Sequence, residues 1–96
     1  MSKFILVYCG TLVYYGTDFG IDLLGEYATK QDAFNAMIRE IERTYKPCVD
    51  MSKCRPDDNG NYEHKEDRST LYWGDDWANC YGVNAAYSDH YKIFEV

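Results

Sequence analysis

Residues 29–45 read TKQDAFNAMIREIERTY, and this stretch decides the fold because it carries the one uninterrupted helical period in the chain. Its large apolar side chains recur at spacings of three and four residues: Phe34, Met37, Ile38, Ile41 and Tyr45. Such spacing places them in one stripe along a helix, with polar residues on the other side. Thr29 stands three residues before Asp32, which is typical of a helix N-cap. The sequence therefore predicts an amphipathic helix from about Lys30 to Tyr45, ended by Pro47.

Two extended segments precede this helix. Residues 3–9 read KFILVYC, a continuous apolar run typical of a strand that is covered on at least one face. Ile21 to Ala28 is a second predicted strand, with a bulge at Gly25. Between them, the glycines and aromatics of residues 11–20 favour either a connection or a ragged hairpin.

After the helix, the chain enters a long polar excursion at about residues 48–68. Asn59-Gly60 within it is a strong turn dipeptide, so a hairpin with its tip there is one option. Strand composition returns at Ser69 to Trp73, and His90 to Val96 alternates like a closing strand with one buried face.

This element order predicts an α+β fold. A length of 96 residues is that of one domain, so we expect residues 1–96 to form a single compact domain. Most connections are too short for the crossovers that a parallel sheet requires. The expected architecture is one amphipathic helix packed on a mostly antiparallel sheet of about four or five strands.

Charge and the N-terminal sequence limit the functions open to the chain. Sixteen acidic residues against ten basic ones give a formal charge of −6, and the resulting field repels phosphate backbones. Direct nucleic-acid binding is therefore disfavoured. The apolar run before Gly10 is shorter than a signal peptide's apolar region or a membrane span. We accordingly expect a cytoplasmic protein with no membrane contact.

Neither a metal nor another cofactor is expected. Cys48, Cys54, His64 and Cys80 are the residue types of a zinc site, but five residues separate the first two and nine separate the next two. Structural zinc sites favour ligand pairs two to four residues apart. Buried or loop thiols are the simpler interpretation.

Catalytic motifs are equally weak. Cys9, His90 and Asp89 supply the types of a nucleophile, a base and an orienting acid, but no nucleophile motif surrounds Cys9. No glycine spacing matches a phosphate-binding loop. The sequence thus predicts a protein that is not an enzyme and has no catalytic residues.

Acidic residues concentrate between Asp50 and Asp76, which hold eight of the sixteen acids against four bases. Aromatic residues that anchor interfaces lie among them, and a negative field attracts a basic surface. The candidate partner-binding residues are Asp57, Asp58, Glu63, Glu66, Asp67, Asp75, Asp76, Tyr62, Trp73 and Trp77. The alternative is that these acids are solvated loop residues and the aromatics belong to the core.

Three segments carry a resemblance to a known group of proteins: the opening KFILVY, the DLLGEYATKQDA that leads into the helix, and the closing YKIFEV. The chain looks like small proteins of bacteriophages and mobile elements. In size, acidity and tyrosine content it is similar to anti-CRISPR proteins and other phage inhibitors of host defence. Several such inhibitors present carboxylates where a nuclease expects DNA phosphates, and the resemblance implies that role for the acids here.

We therefore expect a small acidic binding protein, encoded by a phage, that inhibits a host nucleic-acid-processing defence enzyme as a DNA mimic. Its partner would be a host protein with a basic surface, such as a CRISPR effector nuclease. Carboxylates would replace phosphates in the basic groove, and Tyr or Trp would replace stacked bases. The alternative is a sponge that sequesters a nucleotide immune signal, with Arg39 and Arg43 contacting its phosphates.

Overall fold

The computed structural model describes residues 2–12, 17–45, 55–57, 59–63, 69–82 and 87–96. Its elements are β1 (Phe4–Leu12), β2 (Thr17–Tyr27), α1 (Lys30–Tyr45), β3 (Gly60–Glu63), β4 (Thr70–Trp73), β5 (Trp77–Tyr81) and β6 (Tyr87–Glu95). Within these residues the strands form one sheet in the order β2-β1-β6-β5-β4-β3, and neighbouring strands are antiparallel. The predicted α+β fold is confirmed, with six strands where four or five were expected.

The helix α1 forms where the apolar stripe predicts it. The hydroxyl of Thr29 accepts a hydrogen bond from the backbone N–H of Asp32 at 3.1 Å, which caps the first turn. Phe34, Met37 and Ile41 are fully buried. They pack against the half of the sheet formed by β1, β2 and β6. One face of these strands is thereby removed from water.

Strand register places the core on that covered face. Residues directly opposite each other in an antiparallel ladder point to the same side. Leu6 is opposite Ile93 and Tyr91 is opposite Ala78, and all four are buried. We call the other side of the sheet, which α1 does not cover, the open face.

β1 and β2 form the ragged hairpin that was one of the two options for residues 11–20. Both strands extend into that segment, and their pairing shifts register twice. At the first shift Leu6 is opposite Gly25 while Val7 is opposite Leu23, so Leu24 is the extra residue. The bulge therefore lies next to Gly25, the residue at which the sequence predicted it.

Two strands were missing from the sequence prediction. The structure does not have the hairpin tip that Asn59-Gly60 suggested. Instead, Gly60 begins β3 and is opposite Trp73. β5 was not predicted at all: its inward-facing residues, Ala78 and Cys80, are small and give no strong apolar alternation. Within the described ranges, no helix is long and apolar enough to cross a membrane.

Candidate functional site

Two turns carry carboxylates to one end of the molecule. One comprises residues 56–57, and the other joins β4 to β5. They border a hollow of about 300 Å³ lined by Pro56, Asp57, Asn59 and Asp75. We call Asp57, Asp75 and Asp76 the acidic end.

Lys30, at the start of α1, lies among these carboxylates. Its ammonium donates a hydrogen bond to Oδ2 of Asp75 at 2.7 Å, and this contact lowers the pKa of Asp75. The pKa of Lys30 is raised, mainly by the same hydrogen bond and further by the charges of Asp75, Asp76 and Asp57. All three acids therefore act on one ammonium group. Lys92 donates to Oδ2 of Asp76 at 2.8 Å, so a second cation borders the acidic end.

The β4–β5 turn is held in place by its backbone and by an indole. The N–H of Gly74 donates to the carbonyl of Trp77 at 2.9 Å, and the N–H of Ile93 donates to the carbonyl of Asp76 at 2.8 Å. A Cβ at position 74 would lie 2.1 Å from Nε1 of Trp77, so the ring fits only over a glycine. Asp75 and Asp76 thus project from a fixed turn.

The other predicted site residues are dispersed. Glu63 is exposed at the far end of β3, opposite Thr70. Trp73 is on the covered face with 8% of its surface exposed, whereas Trp77 is half-buried on the open face. Tyr62 belongs to β3, and only its backbone is described. Three candidates lie outside the described residues: Asp58, Glu66 and Asp67.

An aromatic row on the open face was not predicted. The rings of Tyr72 and Tyr81 are 6.1 Å apart and nearly perpendicular, and the His90 ring lies 6.0 Å from that of Tyr81. The row crosses from β4 through β5 to β6. The alternation of buried and exposed positions along Leu71-Tyr72-Trp73 could have predicted that Tyr72 lies on this face. Because β5 was not predicted, nothing in the sequence placed Tyr81 and His90 beside Tyr72.

Asp89 and His90 serve separate hydrogen-bond networks because neighbouring strand residues point to opposite faces. The buried Asp89 carboxylate accepts hydrogen bonds from the hydroxyls of Tyr8 and Tyr45. The Nδ1 of His90 lies 2.8 Å from Oδ1 of Asn79 on the open face. Asp89 therefore does not orient His90, and the two do not form a triad with Cys9.

The remaining candidate ligands give no assembled site among the residues described. Cys48, Cys54 and His64 fall outside them. Burial, together with the charge of Asp89, raises the pKa of Cys80, so its thiol stays protonated. Within the described ranges, no group of three or more His, Cys, Asp or Glu side chains is placed to hold a metal ion.

The two arginines suggested for phosphate binding lie on α1. Arg43 is already paired, with Nη2 lying 2.5 Å from Oε2 of Glu40, while Arg39 is exposed. A phosphate would have to compete with Glu40 for the Arg43 guanidinium.

Comparison of the chain with protein-family models, with curated protein sequences and with solved structures found no match. The functional interpretation therefore depends on the residues of this chain.

Proposed function

We propose that this protein is a small acidic binding protein that inhibits a nucleic-acid-processing enzyme of a bacterial host by occupying its basic groove. The observation that carries the proposal is the convergence of Asp57 with Asp75 and Asp76 from two separate turns around Lys30. The chain as a whole has a formal charge of −6, which favours encounter with a cationic surface.

Pairing with lysines does not prevent these carboxylates from binding a partner. A carboxylate has about four lone-pair sites, so one lysine leaves further acceptor capacity. The lysines also hold Asp75 and Asp76 in fixed positions, which reduces the entropy lost when an arginine of the partner binds. Asp57 has no hydrogen bond or ion pair with the residues that the structure describes, so it would contribute most to long-range attraction.

Trp77 is the aromatic residue best placed to contribute. Its ring covers Gly74 in the same turn that presents Asp75 and Asp76. Trp73 is buried and is better explained as core. The proposed contact surface is therefore the acidic end, with Trp77 holding the turn that presents it, and it is smaller than the set of residues suggested by the sequence.

A panel of purified bacterial CRISPR effector nucleases provides the test, with DNA cleavage measured at two salt concentrations. The protein should inhibit at least one of them, and inhibition should weaken as salt rises because ions screen the attraction. Asp57→Asn, Asp75→Asn and Asp76→Asn together should reduce inhibition.

A charge-matched variant distinguishes the acidic end from net charge. It neutralises three exposed acids elsewhere: Asp22→Asn, Glu26→Gln and Glu95→Gln. Equal loss of inhibition in both triple variants would contradict a role for the acidic end. Failure to inhibit any nuclease in the panel would count against the proposed class of partner.

A further inference from the structure

The open face of the sheet bears an apolar patch that crosses four strands. Its most exposed members are Ile21, Leu23 and Phe94, with 74%, 58% and 45% of their surface accessible. Val7 and Trp77 are half-buried within it. We call these five residues the open-face patch. Single exposed apolar residues are ordinary, whereas a contiguous group marks an interaction surface.

Register shows that the open-face patch is contiguous. Val7 on β1 is opposite Leu23 on β2 and also opposite Lys92 on β6, and Lys92 is in turn opposite Trp77 on β5. One row of side chains thus runs across four strands. Ile21 belongs to the next row, opposite Cys9.

A hollow lies within the open-face patch, next to projecting side chains. Its volume is about 280 Å³, and apolar atoms form nearly all of its lining. Val7 and Trp77 contribute to the hollow, and Ile21 and Phe94 also border it while remaining largely exposed. One surface therefore offers both a cavity and the apolar groups that could fill such a cavity in another copy.

Two charged groups near the open-face patch are paired within the chain. Lys92, the cation in its central row, is hydrogen-bonded to Asp76 at 2.8 Å. Glu26, opposite Ile5 on β1, lies 3.9 Å from the ammonium of Lys3. At these two positions, a second copy of this acidic chain would meet charges that are already paired.

We infer that the open-face patch binds a second copy of this chain, giving a two-fold symmetric dimer in which two sheets stack face to face. In such a dimer the same surface serves both copies, so its projections and its hollow must be complementary to each other. The apolar, charge-compensated lining fits that partner better than the cationic groove proposed for the acidic end.

Size also favours a dimer. The molecule measures 42 × 29 × 18 Å. A face that spans the two longer dimensions can provide the ~800 Å² that a standard interface buries on each partner. Sheets stacked in this way pack about 10 Å apart with interdigitating side chains.

Sedimentation equilibrium of the purified protein over a range of concentrations tests the inference. The wild type should reach twice the 11.2 kDa of one chain at micromolar concentrations. Ile21→Glu and, separately, Leu23→Glu should raise the dimer dissociation constant at least about tenfold, because each places two like charges in the interface. Both positions are exposed in the monomer, so the variants should fold.

Gln31→Glu is the charge-matched control, since this residue is exposed on α1, on the covered side of the sheet. It should leave the dissociation constant unchanged. A wild type that stays monomeric at all concentrations would overturn the inference, as would a dimer that resists both patch variants. Hydrogen exchange adds a separate check: protection of the outer backbone N–H groups of β2 would indicate dimerisation through the sheet edge instead.

Discussion

The Trp73 indole lies directly over Gly60, the residue opposite it across the β3–β4 ladder. A Cβ at position 60 would stand 1.7 Å from Cζ2 of Trp73, far closer than van der Waals contact permits. The short strand β3 therefore reaches its position in the sheet because residue 60 has no side chain.

Gly60→Ala should destabilise the protein by about 1–3 kcal/mol, because the added methyl group must displace the indole or the strand. Urea unfolding measures the change. In a Trp73→Leu background the same substitution should have a smaller effect, since the ring that causes the clash is gone. An equal effect in both backgrounds would mean that the clash is not the cause.

Stability should fall in alkaline solution. Burial raises the pKa of Tyr8 and Tyr91 above the ordinary value of 10.0, and Asp89 raises that of Tyr8 further. The folded state thus keeps protons that the unfolded chain releases, so this contribution is complete below about pH 10 and is lost as pH rises further. Urea unfolding from pH 7 to 11 should show the decline.

Tyr8→Phe serves as the control for that pH dependence. It removes one of the titrating groups, so stability should decline less steeply above pH 10 than in the wild type. Unfolding free energies that stay constant to pH 11 in the wild type would contradict the assignment.

Asp89→Asn should cost about 1–3 kcal/mol in unfolding free energy. Two hydroxyls, from Tyr8 and Tyr45, donate to the buried carboxylate, and an amide offers only one acceptor oxygen. Asp22→Asn, an exposed acid on β2, is the control and should change stability by less than about 0.5 kcal/mol. Similar values for the two variants would exclude a stabilising role for the buried network.

Ile41→Ala should cost about 2–5 kcal/mol, since this side chain is fully buried between α1 and the sheet. Arg39→Ala, at an exposed position of the same helix, should have little effect. Thermal unfolding with circular dichroism compares them. A loss for Ile41→Ala no greater than that for Arg39→Ala would contradict the packing of α1 on the sheet.

The sequence predicts the parts of this fold whose apolar pattern is strong. The stripe from Phe34 to Tyr45 gives α1 with its observed bounds, and KFILVYC gives most of β1. β5 was not predicted, because its core-facing side chains are small and give no strong apolar alternation. β3 was not predicted because Gly60 is typical of a turn in the sequence, whereas in the structure it lies in a strand and allows the Trp73 ring to pack closely against the backbone.

The candidate site is harder to predict because it depends on tertiary pairing. Nothing in the local sequence links Asp75 to Lys30, 45 residues away, yet their hydrogen bond organises the acidic end. Trp73 and Trp77 also look equivalent in the sequence, although a four-residue offset across a turn places them on opposite faces of the sheet.

The pairing of β1 with β6 has a consequence for synthesis on the ribosome. Tyr8 and Asp89, which share a hydrogen bond in the middle of the sheet, are 81 residues apart. While the polypeptide is being translated, β1 and β2 leave the exit tunnel long before β6 exists, so one edge of β1 has no partner strand. Contacts this distant in sequence slow folding, and unpaired strand edges invite aggregation. The nascent chain must therefore keep that edge of β1 unpaired until β6 has been synthesised, a period in which a holding chaperone would be most useful.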